Sequence, residues 1–344
     1  MNKIMVKSLQ ERLDDNEWQF PVMSLNRNIN QTLRKLLKGK EHMFRKLKEH
    51  DCHRLLNSKI NICDERGWRS RFMCDYDGST KQVSISAAFC QMIWLICYYA
   101  LVTEDYRITE EEFSKWSYLK KIKSLVMISV LYKYNPGCVD EKDVYVHLVR
   151  RAYEEKKNEE AISLLKMIAR QNPVDVTMAQ RLDDLFKDDI MNHMVNSLYL
   201  YSICFYLLHE FGHYLSEGEN MTELMEEYAA DALASDLMIK KTKNYYLKSS
   251  MYGMTAGVCC LMIFFLQNRT HPDTDTRLKE VLNGLNVSDH FKRKNAGLIL
   301  SYLGLWAALN NIEDFPVRTD DNIASLDKAF AYLERYKQEH GSFE

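Results

Sequence analysis

A chain of 344 residues, 46% hydrophobic and 27% charged, is long enough to bury one large core and has the make-up of an ordinary globular protein. Its net charge of -2 gives no electrostatic basis for nucleic acid as the main partner. Twelve glycines and five prolines are too few for the turns of an all-β design and favour long helices with short connections.

The N-terminal stretch "MNKIMVKSLQERLDDNEW" lacks the apolar run of a secretory signal, which predicts a cytoplasmic protein. Residues 26–65 read as one or two amphipathic helices, with Leu33, Leu36, Leu37, Met43, Phe44 and Leu47 recurring at helical spacing. Acidic residues break the basic run at 33–50, so it reads as a solvated face. The period then changes. "WRSRFMCDYDGSTKQVSISAAF" (68–89) alternates polar and apolar residues around "DGST", predicting a β-hairpin with strands at 69–75 and 82–88. From about residue 88 the pattern is helical, punctuated at 134–137, 171–175, 216–220 and 269–276. The apolar stretches at 85–102 and 251–266 are predicted to be buried core helices, not integral membrane segments: the first carries Gln91, and the second falls short of the ~20 residues a bilayer requires. Nine cysteines form no CxxC pair and sit largely in apolar runs, as buried reduced thiols do.

The chemistry lies in "LLHEFGHYL" (207–215). Residues four apart share one helix face, so His209 and His213 can both present an imidazole nitrogen to one metal ion. Glu210 is turned about 100° from His209, beside the open coordination position, where a general base is needed. Zinc there would lower the pKa of a bound water from ~15.7 to about 7. The flanks are uncharged, so two histidines and a glutamate in an apolar helix need partners. Gly212 costs about 1 kcal/mol relative to alanine, which is reasonable if a second element approaches closely there.

A third ligand is sought downstream. Thr222 can N-cap a helix containing "EEYAADALA", in which Glu227 and Asp231 lie one turn apart on one face, among Ala229, Ala230 and Ala232. Folded back over the first helix, this one brings Glu227 to the metal and lets Asp231 accept an N–H from a ligating histidine. Glu223 and Glu226 compete for the ligand position.

H-E-x-x-H followed by E-x-x-A-D at Glu227, Ala230 and Asp231 resembles the gluzincin zinc metallopeptidases. In that group the glutamate is the third zinc ligand and the aspartate supports the site. "THPDTDTRL" is similar to the H-P-x4-R segment of HtpX-type peptidases and of the phage-exclusion Lit-type peptidases, with His271, Pro272 and Arg277 at the matching positions. The absence of clear membrane spans makes the Lit-type group the closer resemblance. By that likeness His271 would hold substrate or the developing oxyanion, and Arg277 would steady a carboxylate near the metal. The plainer alternative is a loop histidine before a helix over 273–282 that carries Arg277 on its surface. Tyr214 and Tyr228 are either oxyanion donors or core packing. Among the remaining histidines, His50 and His53 are close in sequence but lack a third ligand.

The expected fold is mainly α with a small β-hairpin or sheet around a zincin-like core. An N-terminal helical region (1–65), the metallopeptidase core (66–287) and a C-terminal helical region (288–344) would form one unit. The resemblance implies a zinc-dependent endopeptidase that cuts a specific intracellular protein, with phage exclusion or conditional toxicity as its setting. The alternative is a zinc-stabilised regulatory or interaction protein without catalysis. Oligomeric state is not legible in the sequence.

Overall fold

The computed structural model describes residues 25–38, 61–63, 74–77, 82–105, 162–163, 189–216, 220–240, 242, 244–264, 273–285, 287–319 and 321–340. Helix α1 (Asn26–Leu37) buries Ile29, Leu33, Leu36 and Leu37, the apolar face that its spacing predicts. Strands β1 (Asn61–Cys63), β2 (Cys74–Asp77) and β3 (Gln82–Ser86) form a sheet of order β1-β3-β2. β3 pairs antiparallel with β2, Val83 opposite Tyr76 and Ile85 opposite Cys74, and parallel with β1, Ile62 opposite Ile85.

Two expectations need correction. Asn61–Cys63 falls in a segment predicted helical but adds to the sheet; three residues are too few for a period, and pairing with β3 decides their conformation. The predicted strand over 82–88 stops at Ser86, because Ala87 opens helix α2 (Ala87–Asp105). β3 is the central strand, and among the described residues the edges are β1 and β2.

α2 is buried on nearly every side, with Met92 through Tyr98 at 1% exposure or less. Its Trp94 indole donates to Asn196 Oδ1 at 2.8 Å. That burial accounts for its apolar sequence, and no helix among the described residues is long and apolar enough to cross a membrane. The central element is α3 (Asp189–Ser216), a 28-residue helix against which α1, α2 and β2 pack. Two later helices, α4 (Glu223–Ile239) and α5 (Asn244–Phe264), cover its other faces. Full burial of side chains such as Tyr199, Phe205 and Phe211 contributes about 1.5–3 kcal/mol each.

The contact of α3 with α5 is close because Gly253 and Gly257 lie one turn apart: a Cβ on Gly253 would run into Tyr201, and one on Gly257 would lie 3.1 Å from Phe205. Ser202 Oγ and Tyr206 Oη donate across this seam to the carbonyls of Gly253 (2.9 Å) and Gly257 (2.6 Å). Helix α6 (Thr274–Gly284) packs on α4 and α5. Helix α7 (Asp289–Leu309) packs on α2 and α5, and α8 (Asn322–His340) covers α7. Cys90, Cys97, Cys204, Cys259 and Cys260 are buried and form no disulfide, and burial pushes the thiols of Cys204, Cys259 and Cys260 well above their ordinary pKa.

Candidate metal centre

The site forms where α3 and α4 touch. Thr222 caps α4, its hydroxyl accepting from the Met225 N–H at 3.3 Å. From there Glu227, Ala230, Asp231 and Ala234 form the buried face of α4. The two helices can close because Gly212 has no side chain: a Cβ there would lie 2.6 Å from Ala230 Cα and 2.8 Å from Ala230 Cβ. The helical cost of Gly212 thus coincides with the close approach expected for it. Of the three alanines near the motif, Ala230 makes this contact, whereas Ala232 is exposed.

This packing brings together His209, His213 and Glu227, which form the one group of three potential metal-ligating side chains among the described residues. His209 Nε2 and His213 Nε2 are 3.2 Å apart. Glu227 Oε2 lies 3.3 Å from His209 Nε2, and Oε1 lies 3.3 Å from His213 Nε2. These separations test the fit to a metal. Nitrogen and oxygen donors bonded at about 2.0–2.2 Å with tetrahedral angles are about 3.3–3.5 Å apart. The two imidazole nitrogens stand close to that spacing, and the Glu227 carboxylate faces both, one oxygen toward each, so the donor set fits a divalent ion. His209 and Glu227 are buried, while the His213 side chain is 26% exposed, so the cluster opens toward solvent on the His213 side.

Behind the donors is a second layer of charge. His209 Nδ1 lies 2.9 Å from Asp231 Oδ1. Arg277 grips the same carboxylate through two bonds, Nε donating to Oδ2 and Nη2 to Oδ1, both 2.7 Å. An ionised carboxylate only accepts, so His209 carries a proton on Nδ1, and Nε2 is the nitrogen turned to the cluster. Burial opposes ionisation of Asp231, but His209 and Arg277 outweigh it and hold the carboxyl below its usual range. Burial likewise opposes charge on His209, yet its hydrogen bonds to Asp231 and Glu227 raise its pKa to about 9 without a metal.

The competitors for the ligand position separate clearly: Glu223 is exposed and Glu226 half-buried, and neither joins the cluster. Glu210 is half-buried on α3 between the two histidines in sequence. Arg277, which the plainer reading put on a helix surface, is buried at 5% exposure because it serves Asp231. Tyr228 is 37% exposed, which corrects the core-packing alternative for it. His271, Pro272, His42, His50, His53 and His147 lie outside the described residues, as do the side chains of Tyr214, His193 and His290. His340 stacks on Tyr336, away from the cluster. Two charged residues that no motif marks, Asp275 and Lys337, pair one layer further out; 62 positions separate them, and only the tertiary fold connects them.

The family model described as Peptidase U49 matches residues 83–296, which include every member of this cluster and Arg277. Neither the curated proteins nor the solved structures give a match.

Proposed function

Because this chain belongs to the peptidase U49 family, and is therefore a hydrolase of peptide bonds acting on a protein or peptide, we propose that it is a zinc-dependent endopeptidase with its centre at His209, His213 and Glu227. The observation that carries this reading is the convergence of two imidazole nitrogens 3.2 Å apart on one carboxylate, each 3.3 Å from one of its oxygens, with a glutamate next to the first histidine. Zinc is the metal that this mixed donor set suits, since N₂O sites with an open fourth position are its catalytic form.

When bound, the ion supplies a Lewis acid that makes water nucleophilic at neutral pH. The remaining chemistry belongs to the chain. Glu210 takes the proton of the attacking water and delivers it to the leaving amine. Asp231 fixes the His209 tautomer, and Arg277 keeps Asp231 ionised and aimed. His271 serves substrate or the oxyanion. β2, an edge strand packed on α3, offers backbone groups to an extended peptide. A specific intracellular substrate, cytoplasmic residence and a setting in phage exclusion or conditional toxicity complete the proposal; the substrate and setting rest on the Lit-type resemblance alone, and residence also on the buried reduced thiols.

The test is Glu210→Gln. It should keep zinc content and melting temperature while abolishing the new protein N-termini that the wild-type chain generates in cells. New termini at wild-type levels from the variant would contradict the role of Glu210. No new termini from either chain would favour a non-catalytic zinc protein.

A further inference from the structure

α6 sits between two charged contacts. Asp275 and Arg277 are two residues apart, about 200° around the helix, so they point to opposite sides. Arg277 reaches inward to Asp231. Asp275, whose side chain is fully buried, reaches outward to Lys337 on α8, with Nζ donating to Oδ1 at 2.9 Å and to Oδ2 at 3.1 Å. Lys337 also donates to Asp273 at 3.0 Å, just before α6 begins. One turn further along α6, Lys279 binds Glu334 of α8 at 2.8 Å and lies 5.1 Å from the Phe330 ring centre. The Lys337 side chain is 7% exposed.

We propose that Lys337 is a positioning residue for the metal centre: through Asp275 and Asp273 it fixes the roll of α6, so that Arg277 meets Asp231 and Asp231 meets His209. A chain of contacts then runs from α8 to a histidine of the cluster, Lys337 to Asp275, Arg277 to Asp231, and Asp231 to His209 Nδ1. α8 lies outside the residues matched by the family model, so this support comes from beyond the matched core. A buried ammonium facing a buried carboxylate tolerates little displacement, because moving either leaves the other buried and unpaired. Burial works against charge on Lys337, but Asp275 and Asp273 outweigh it and keep the ammonium protonated. The inference rests on the metal centre proposed above.

The experiment is a chelator competition for Zn²⁺ on the full chain, with melting temperature measured in parallel. Lys337→Met should weaken zinc affinity about tenfold, the lower end for outer-sphere partners, and Lys337→Arg should recover most of it. Leu333→Ala, which cuts into the core face of the same helix, should lower the melting temperature with zinc affinity unchanged. If Lys337→Met does not fold, the double variant K337M/D275N removes the pair without stranding either charge and should show the same loss. Wild-type affinity in a folded Lys337 variant, or an equal affinity loss in Leu333→Ala, overturns the proposal. A wild-type chain that binds no zinc instead refutes the metal centre itself.

Discussion

His209 has its Nδ1 committed to Asp231 and its Nε2 to the cluster, so its protonation and metal binding compete for the same atom. In the metal-free protein its pKa is raised to about 9, against about 6.5 for an unperturbed imidazole. At neutral pH zinc must therefore displace a proton. Apparent zinc affinity should rise about tenfold per pH unit from this group and level off above pH 9. Calorimetry in buffers of different ionisation enthalpy should register that proton; a binding enthalpy independent of the buffer would count against it. The sign is opposite for the metal-free fold. Its stabilisation by protonated His209 is complete below about pH 6.5 and is lost as pH rises through 9. The residues of the cluster could be singled out in the sequence, since the four-residue spacings of His209–His213 and Glu227–Asp231 each define a helix face. Which histidine Asp231 would serve, and which carboxylate Arg277 would hold, depended on how three helices meet. No spacing encodes that.

At the scale of elements, the centre exists because α3 and α4 lie almost backbone to backbone at Gly212 and Ala230. Gly212→Ala would gain about 1 kcal/mol in helix propensity and lose about 1–3 kcal/mol to overpacking. The larger effect should be on zinc. Pushing α4 outward moves Glu227 and Asp231 together, so the variant should bind zinc at least tenfold more weakly at a nearly unchanged melting temperature. Ala230→Gly should not rescue it, because the added methyl also meets Ala230 Cα. Zinc content equal to wild type in Gly212→Ala would show that the close approach is not needed for the site. The helices were readable from period and capping, as Thr222 shows at the start of α4. The sheet was less so. Its third strand has three residues, and the central place of β3 is a matter of pairing order, which alternation along one strand cannot express.

For the molecule as a whole, the cluster takes side chains from two helices and support from a third, so the proposed metal binding would depend on the packing of α3, α4 and α6. Zinc held at about a thousand times its dissociation constant adds roughly 4 kcal/mol to stability. For a chain of this length, removing it should lower the melting temperature by about 5 °C. An unchanged melting curve after chelation would separate the metal from the fold. The mainly helical class was legible from the scarcity of glycine and proline and from apolar helices that proved to be core. The buried tie between α6 and α8 was not, since Lys337 looks in sequence like any lysine in the last turn of an amphipathic helix. The central claim is that His209, His213 and Glu227 hold one zinc ion. It is tested most directly by native mass spectrometry on the wild-type chain beside His213→Ala, Glu227→Ala and Glu223→Ala. One zinc per chain should be found in the wild type and in Glu223→Ala, and none in the other two. Zinc retained by Glu227→Ala, or absent from a reconstituted wild-type chain, would contradict it.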